Sequence, residues 1–552
     1  MSDYPMLISN KLHSFRNFVG QRYNFRACMH PLCLFICTFG LYLFLRPIML
    51  KPLTSLLAAL PLCAAAQQLK PNIIVLVADD LGYGDLSCYG ATRVSTPTVD
   101  SLAANGVRMT NMHACASTST PSRYALLTGE YPFRRTGTDV AAGNAGMIIK
   151  PGQTTVADLM HRAGYATAAI GKWHLGLGSR TAAQDWNGTI DLTPRDLGFD
   201  YHYIMAATAD RVPCVYIENG RVANYDASAP ISVSYQHNFE GEPTGRSNPE
   251  LLTKLRPSHG HDMSIVNGIS RIGYMKGGGR ALWRDESIAD SIVSHAIGFI
   301  DSHRATPFFM YLCTNDVHVP RMPHERFRGK SVMGLRGEAI MQFDWTVRQI
   351  TDALRQRGID RNTLIIITSD NGPVLDDGYQ DRAIELCGTH KPSGPYRSGK
   401  YSAYEGGSAV PFIVYWPEGA AQGMTSDALG SLIDMPASLA SLSDVALQPA
   451  EAHDSQNHIS TWLGRDTRPR DYAISMASNR SLTLCTQHYK YISPSDGGPM
   501  ITWGPKIETG YRPTPQLYDL SKSAYEQTDI AKERPKLLQR LQRLLGEVRG
   551  GK

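Results

Sequence analysis

The chain has 552 residues, of which 42% are apolar and 19% are charged. These values exclude a coiled coil, a collagen-like chain and wholesale disorder, and the length fits a large α/β domain with a smaller one. The formal charge of +5 belongs to residues 1–66, where six Lys and Arg face one Asp, so the remainder is neutral. A neutral body with mixed signs is not typical of nucleic-acid binding, and we expect no nucleic-acid partner.

The N-terminus has the pattern of a secretory leader. Lys51 precedes a short apolar run at 53–62, and residues 64–66 are three alanines that offer a cleavage site. We predict that translation begins at Met49, that cleavage follows Ala66, and that the mature protein is exported to the periplasm or cell surface. An earlier apolar run at 31–45 is short for a membrane span, so we expect no stable span in the mature chain. A membrane anchor there is the alternative.

The body of the chain alternates strand and helix patterns. Continuous apolar runs have the composition of strands buried on both faces, at 72–77, 165–170, 307–312, 363–368 and 411–416. Apolar residues at a 3.6 period predict helices at 287–302 and 338–356. Stretches at 176–285 and 371–405 show neither pattern, and irregular loops of that length are usually functional.

The C-terminal part has a different pattern. Short strand-like runs at 472–475, 481–484 and 489–492 precede an amphipathic helix at 535–548. We therefore predict an α/β fold with three parts. They are a leader at 1–66, a large domain at 67–464 and a small sheet-plus-helix subdomain at 465–552.

Six cysteines lie outside the leader, widely scattered, at 88, 115, 214, 313, 387 and 485. The absence of any C-x-x-C pair disfavours a structural zinc site. One or two disulfides would suit an exported protein, and buried free thiols are the equal alternative.

Polar side chains follow two of the predicted strands. Asp79 and Asp80 come directly after the strand at 72–77, and Asp370 and Asn371 follow the strand at 363–368. Open α/β sheets bind ligands at the carboxyl ends of their strands, and carboxylate and amide oxygens suit a hard cation. Each pair alone would more often be a turn. Two matching strand ends favour a shared calcium or magnesium site over zinc.

A short motif surrounds Ser119. Pro121 is a good first helical residue and Gly129 a good helix stop, so we expect a helix that begins just after Ser119 and carries Arg123 one turn on. Free N–H groups at such a helix start favour an anion. A capping Ser with a surface Arg is the alternative.

These residues, with Ser122 and Thr128, match the pattern C/S-x-P-S-R-x-x-x-x-T-G. The chain thereby resembles the formylglycine-dependent sulfatases, from about residue 71 to its C-terminus. The resemblance implies an alkaline-phosphatase-like fold: a large mixed, mostly parallel sheet sandwiched by helices, with a smaller C-terminal antiparallel sheet plus helix. It also implies that a separate maturase oxidises residue 119 to formylglycine (3-oxoalanine). A Ser there is similar to the bacterial branch served by radical-type maturases.

Further segments match the family in order. The resemblance implies that Lys172 contacts sulfate and the nucleophile, that His174 orients the formylglycine, and that His318 and Lys400 bind sulfate, with His318 as general acid. In an extended chain, Lys172 and His174 would face the same side. The implied catalytic residues are Ser119, Arg123, Lys172, His174, His318 and Lys400. The implied ligands of one calcium ion are Asp79, Asp80, Ser119, Asp370 and Asn371.

The resemblance implies hydrolysis of sulfate monoesters. In the implied mechanism, hydrated formylglycine attacks sulfur through one oxygen, the alcohol leaves, and the second hydroxyl collapses to release sulfate and restore the aldehyde. Calcium and the cationic side chains neutralise the developing charge. One alternative is a phosphoesterase of the same superfamily, although such enzymes typically use paired metals with several His ligands. Another is an unmodified, non-catalytic glycan-binding homologue.

The substrate is indicated more weakly. The long loops place Arg211, His261 and Asp377 among polar residues that would read sugar hydroxyls, and an equal alternative is that they stabilise the loops. The resemblance to bacterial enzymes implies a sulfated glycan that contains galactose or N-acetylgalactosamine.

Overall fold

The computed structural model describes residues 70–550, so the predictions on the leader, from Met49 to cleavage after Ala66, lie outside the described residues. The six cysteines of the described part are free thiols, and five of them are buried. Free thiols, the second of the two alternatives, are therefore what the structure shows. No helix within residues 70–550 is long and apolar enough to cross a membrane.

Strands and helices alternate along most of the chain. The strands are β1 (Asn72–Ala78), β2 (Val107–His113), β3 (Ala166–Lys172), β4 (Tyr201–Met205), β5 (Tyr216–Glu218), β6 (Arg221–Val222), β7 (Ser232–Ser234), β8 (Ile265–Val266), β9 (Ile269–Ser270), β10 (Tyr274–Lys276), β11 (Phe308–Cys313), β12 (Thr363–Ser369), β13 (Ala409–Tyr415), β14 (Met424–Ser426), β15 (Gly430–Ser431), β16 (Ala473–Met476), β17 (Leu482–Cys485), β18 (Tyr489–Ile492) and β19 (Gln516–Asp519). The α-helices are α1 (Pro97–Ala104), α2 (Ser119–Thr128), α3 (Val156–Arg162), α4 (Ile288–Ser302), α5 (Gly334–Gln356), α6 (Ala383–Cys387), α7 (Met435–Leu442), α8 (Ile459–Trp462) and α9 (Pro535–Gly550).

The main sheet is large, mixed and mostly parallel, as predicted. Its strand order is β14-β2-β13-β12-β1-β11-β3-β4-β5-β6, with β15 also paired to β2. The central strands β12, β1, β11, β3 and β4 run parallel, whereas β13 is antiparallel to both of its neighbours. Their side chains are buried on both faces because helices flank the sheet in two groups, α1 with α4 and α5, and α2 with α3 and α7.

The register of the central strands brings their carboxyl ends to one edge. Ala78 at the end of β1 pairs with Ser369 at the end of β12. On the other side of β1, Val77 pairs with Cys313 of β11, which in turn pairs with Gly171 of β3. The segments that follow these four strands are therefore neighbours in space, although they are hundreds of residues apart in the chain.

The C-terminal part forms its own antiparallel sheet, in the order β16-β17-β18-β19, with α9 against β18. This small sheet is joined to the segment just before Ser119, since Met476 exchanges backbone hydrogen bonds with Cys115 and Ser117 at 2.9 Å. The fold class is thus confirmed. The whole described part packs as one compact unit, and the boundary at 465 stays a prediction.

The apolar runs located the strands that they predicted to within two residues, but β2 and β4 of the main sheet were not predicted and one helix start was missed. The helix predicted at 338–356 begins at Gly334. Its first turn carries Arg336, which is buried in an ion pair with Asp85 at 2.7 Å instead of lying on an apolar stripe. A buried charge of this kind leaves no periodic apolar signal in the sequence. The stretch at 176–285 also contains short strands, including the paired ribbons β7/β10 and β8/β9.

Candidate active site

The predicted metal-binding side chains meet at the edge where β1 and β12 end. The backbone N–H of Asp80 donates to Asp370 Oδ1 at 3.2 Å, and Asn371 Nδ2 donates to Asp80 Oδ1 at 2.7 Å. Together with Asp79, all of these residues are at most 1% exposed. The structure therefore brings together the four residues that the two strand ends predicted.

Ser119 lies over this cluster, in the first turn of α2. Its Oγ lies 3.4 Å from Asp79 Oδ1, 3.3 Å from Asn371 Oδ1 and 2.7 Å from Lys172 Nζ. The expectation that Pro121 is the first helical residue is wrong, because the helix begins at Ser119 and Pro121 is its third residue. Proline is tolerated there since the first N–H groups of a helix have no intrahelical acceptor. Gly129 ends the helix in the left-handed conformation, as predicted.

Two cations lie on the carboxylates beneath Ser119. Lys172 Nζ is 2.6 Å from Asp79 Oδ1 and 3.5 Å from Asp370 Oδ2. Arg123 Nε and Nη2 lie 3.0 Å and 2.8 Å from Asp370 Oδ2, and its side chain is fully buried. The alternative of a surface Arg is therefore wrong. Such an arrangement places positive charge where an anion next to Ser119 would bind.

Burial and these ion pairs shift the site's pKa values in opposite directions. Burial raises the pKa of Asp79 and lowers that of Lys172, because it penalises the charged form of each. Burial also acts to raise the pKa of Asp370, but the charges of Arg123 and Lys172 outweigh it and the pKa falls. Asp370 is therefore firmly ionised.

His174 does not lie where an extended chain would place it. Strand β3 ends at Lys172, and His174 has a left-handed φ of 60°. Its Nε2 lies 3.0 Å from the Ala141 carbonyl, and its Nδ1 is buried without a hydrogen-bond partner in the described part of the chain. Burial lowers its pKa well below the usual value, so the ring is neutral. Nδ1 is thus left free for a group bound at the site.

Lys400 and His318 form the opposite wall. Lys400 Nζ lies 2.8 Å from Asp80 Oδ2 and 3.2 Å from His318 Nε2. His318 Nδ1 lies 2.7 Å from the Val319 carbonyl, which accepts a hydrogen bond and so assigns the proton to Nδ1. The Nε2 lone pair then faces the site, where it can take up a proton and return it.

Asp377, predicted to contact sugar, lies against Lys400. Its Oδ2 lies 2.8 Å from Lys400 Nζ, and its Oδ1 accepts a hydrogen bond from the Tyr401 hydroxyl at 2.8 Å. Burial acts to raise the pKa of Asp377, but Lys400 outweighs it and lowers it. The same two carboxylates, Asp377 and Asp80, raise the pKa of Lys400 against its burial. Sequence reasoning missed Tyr401, whose φ of 76° leaves no mark in the residue pattern.

Arg211 and His261 are brought together by a residue that sequence reasoning passed over. Asp210 Oδ2 lies 2.9 Å from Arg211 Nη1 and 3.0 Å from His261 Nε2. Burial acts to raise the pKa of Asp210, but the charge of Arg211 outweighs it and lowers it. The signal available was the adjacency of Asp210 and Arg211. The loop that carries Asp377 abuts His261, since a Cβ on Gly378 would lie 2.0 Å from the imidazole.

Asp316 and Val317, which the sequence analysis did not single out, hold Asp79 in place. The Asp79 N–H donates to the Asp316 carbonyl at 3.0 Å, and the Val317 N–H donates to the Asp79 carbonyl at 2.7 Å. Gln342 Nε2 in turn donates to the Asp316 carboxylate at 3.1 Å. Burial raises the pKa of Asp316 to about 7. These contacts fix the end of β1 against the segment that carries His318.

The site has the donor chemistry of an oxygen-liganded cation. Asp79 Oδ2 is buried and has no hydrogen-bond partner among the described residues, which leaves an oxygen lone pair to be satisfied. Asp79, Asp80 and His318 each bring one ligand atom within 4.8 Å of the others. His318 was not a predicted ligand, and its nitrogen is a poorer donor for calcium than the oxygens of Asp370 and Asn371.

A second buried cluster lies behind the loop that carries Lys400. Glu405 Oε2 lies 2.7 Å from His113 Nε2, and Glu405 Oε1 lies 3.1 Å from Cys485 Sγ and 2.7 Å from Lys490 Nζ. Glu526 accepts from the Glu405 N–H at 2.7 Å. Because an ammonium already neutralises Glu405, this cluster fits an ion-pair network that ties the small sheet to the main one, and not a metal site.

A buried hydroxyl at a helix start, flanked by carboxylates and by three cations, is the arrangement of a hydrolase for an anionic ester. Residues 71–445 match the family model described as Sulfatase, and the chain belongs to that family. The resemblance drawn from the Ser119 motif is thus confirmed. The chain is an enzyme that hydrolyses sulfate esters.

Individual relatives are similar over most of the chain. An N-acetylgalactosamine-6-O-sulfatase of Bacteroides thetaiotaomicron is 51% identical over 480 residues, which cover 87% of this chain and 93% of the relative. Human arylsulfatase A is 29% identical, with 89% of this chain and 90% of the relative covered. A structure solved in work on the metabolism of multiple glycosaminoglycans by B. thetaiotaomicron has a TM-score of 0.85 at 50% identity, and covers 87% of this chain and 99% of its own.

Proposed function

We propose that this sulfatase removes a 6-O-sulfate from N-acetylgalactosamine in a glycan, with one calcium ion and a formylglycine made from Ser119. The observation that carries the proposal is the buried cluster around Ser119 Oγ, where Lys172 Nζ lies 2.7 Å away above buried carboxylates. The relative at 51% identity, named for N-acetylgalactosamine-6-O-sulfate, supports the choice of sugar.

The charges of the site support a sulfate ester over a phosphate ester. Four buried carboxylates face three buried cations, which leaves one negative charge: Asp79, Asp80, Asp370 and Asp377 against Arg123, Lys172 and Lys400. A divalent cation together with a singly charged sulfate ester brings the net charge of this cluster to zero. A doubly charged phosphate monoester would leave a buried negative charge, which is costly. Among the described residues, His318 is the histidine that joins Asp79 and Asp80 as a possible metal ligand, whereas paired-metal phosphoesterases use several histidines.

The side chains divide the work of the reaction between them. Calcium held by Asp79, Asp80, Asp370 and Asn371 would supply a positive charge that polarises the ester. Formylglycine at 119 would supply a hydrated aldehyde as nucleophile, whose collapse releases sulfate.

The chain's own residues position the reacting groups and supply the proton for the leaving alcohol. Lys172 Nζ holds the oxygen at position 119, and Lys400 Nζ neutralises a sulfate oxygen on the other wall. His318 Nε2 takes up a proton and returns it to the departing alcohol, since the Val319 carbonyl holds the proton of the other ring nitrogen.

The same proposal includes a maturase and export. Oxidation of Ser119 requires a separate enzyme, for which the radical type is the best match to a serine. The apolar run at 53–62 would take the chain across a membrane for cleavage after Ala66, so that it meets glycans in the periplasm or at the cell surface.

Sugar recognition is assigned to the Asp210 group. Arg211 offers donors and Asp210 acceptors within one rigid pair at 2.9 Å, a combination that suits adjacent sugar hydroxyls. His261 steadies Asp210 from the other side at 3.0 Å. Asp377 acts on the sugar only through Lys400.

A panel of defined sugar sulfates tests the proposal. The enzyme is produced together with a serine-competent maturase and supplied with N-acetylgalactosamine 6-sulfate, its 4-sulfate, N-acetylglucosamine 6-sulfate and N-acetylgalactosamine 6-phosphate. We expect sulfate release from the first at a rate at least about 100-fold above the others, as loss of a matched polar contact predicts. Faster phosphate release, or equal rates on all sugars, would contradict it.

A further inference from the structure

The chain's seven tryptophans differ sharply in exposure. Five are at most 5% exposed and Trp345 is half-buried, whereas Trp503 is 60% exposed. An indole carries a large apolar surface whose exposure to water is unfavourable, so an exposed one beside a functional site indicates a partner.

Trp503 lies on a loop that is fixed to the segment carrying Lys400. The loop closes as a hairpin, with Ile501 N–H donating to the Ile507 carbonyl at 2.8 Å. At its base, the Glu508 carbonyl accepts from Ser398 Oγ at 2.6 Å, and the Glu508 carboxylate pairs with Arg397 at 2.7 Å. The indole is therefore held at a set place beside the active site.

Two aromatic rings contact the indole in T-shaped arrangements. The Tyr401 ring centroid lies 5.4 Å away at 75°, and the His259 ring lies 6.0 Å away at 65°. Neither ring stacks flat on the indole, and with 60% of its surface exposed the indole stays largely open to solvent. Gly504 allows this packing, because a Cβ there would lie 2.1 Å from His259 Nε2.

Tyr401 is held in a strained backbone conformation. Its φ of 76° is unfavourable for a bulky side chain, and its backbone is fixed by hydrogen bonds with Ser117 and Ser478 at 2.8 Å and 3.2 Å. Strained residues persist where the surrounding structure requires them, often at ligand sites. The Tyr401 hydroxyl bonds Asp377, the partner of Lys400.

The indole lies close enough to the sulfate-binding wall for one substrate to reach both. Lys400 Nζ lies 5.3 Å from the Tyr401 centroid, which lies 5.4 Å from that of Trp503, so the indole is within about 11 Å of the ammonium. This is the reach of a sulfated sugar plus the sugar linked to it.

We propose that Trp503, supported by Tyr401 and His259, is a platform on which the pyranose ring next to the sulfated sugar stacks. The apolar C–H face of that ring packs on the open indole face, and the platform makes the enzyme prefer an oligosaccharide to a single sugar. This inference rests on the proposed glycan substrate. It adds a second sugar position, formed by residues other than those proposed for catalysis and metal binding.

The test compares kcat/KM for two substrates: N-acetylgalactosamine 6-sulfate, and a tetrasaccharide that ends in this sugar. In Trp503→Ala, the ratio of the tetrasaccharide value to the monosaccharide value falls roughly 5- to 30-fold, the range that one stacking contact corresponds to. Trp503→Phe keeps most of the ratio because it keeps a ring face. Tyr525→Ala, which removes another exposed aromatic residue of the same subdomain, leaves the ratio unchanged.

The outcomes separate this inference from the proposed function. A wild-type enzyme that cleaves both sugars, with a ratio that Trp503→Ala does not change, overturns the platform alone. An equal loss on both substrates does the same, because it shows a general effect on the active site. A wild-type enzyme that releases sulfate from neither sugar overturns the glycan assignment, and the platform with it.

Discussion

Replacing Arg123 tests whether the buried charges of the site depend on one another as the distances imply. The guanidinium is fully buried and lies 2.8 Å and 3.0 Å from Asp370 Oδ2 through two nitrogens. Arg123→Leu leaves Asp370 charged and buried, and removing one partner of such a pair costs about 3–5 kcal/mol. Lys172, 3.5 Å from the same oxygen, still compensates part of the charge of Asp370. We therefore expect the free energy of unfolding to fall by about 3 kcal/mol.

Urea unfolding at pH 7 with a chelator measures this loss. Arg123→Lys should lose less than Arg123→Leu, since it keeps the charge but loses the planar guanidinium that contacts Asp370 Oδ2 through two nitrogens. The double variant Arg123→Leu/Asp370→Asn should recover about half of the loss or more, because it removes the uncompensated carboxylate. The reasoning is refuted if Arg123→Leu unfolds at the wild-type urea concentration, or if the double variant is as unstable as the single one.

Three further predictions concern the metal, the second wall and the Glu405 cluster. Asp79→Ala should lose bound calcium by elemental analysis and lose activity, and a variant that keeps one calcium per chain would show that Asp79 is not a ligand. Lys400→Met should lower kcat about 100-fold or more by removing a charge from the ester, and a drop of less than about 3-fold would exclude this role. Burial raises the pKa of Glu526 from 4.5 to about 7, although the charge of Lys490 opposes this. The folded state therefore binds this proton more tightly than the unfolded state does, and the free energy of unfolding falls as pH rises from 4.5 to about 7. Glu526→Gln should remove that loss of stability, which is worth at most about 3 kcal/mol at pH 8. Thermal unfolding across this pH range measures it, and equal pH profiles for the variant and the wild type would contradict the prediction.

The sequence located the parts of the fold and site that depend on local pattern. Continuous apolar runs marked β1, β3, β11 and β12 but not β4, and the polar pairs that follow β1 and β12 had to meet because parallel strands end at one edge. The Ser119 motif is contiguous and identified the family. His174 departs from the extended conformation that the sequence suggested, because its left-handed φ of 60° turns the chain after β3, and nothing in the residue types marks that turn.

Contacts between distant segments were beyond the sequence. Lys400 reaches Asp80 across 320 residues, and the role of Asp377 follows only from that contact. The same holds for Gln342, which lies on a helix with an ordinary apolar stripe and reaches the Asp316 carboxylate across 26 residues. A single sequence specifies such side chains as polar but does not specify their partners.

The most direct measurement of the central claim follows the chemical state of residue 119 together with turnover. Preparations made with graded amounts of maturase are analysed by peptide mass, in which oxidation of Ser119 to formylglycine appears as the loss of two hydrogens. The rate of sulfate release is measured on the same samples. We predict that the rate is proportional to the oxidised fraction and falls to background when that fraction is zero, because an unmodified Ser hydroxyl is a weak nucleophile. Sulfate release at full rate by protein whose residue 119 is entirely serine would contradict the account.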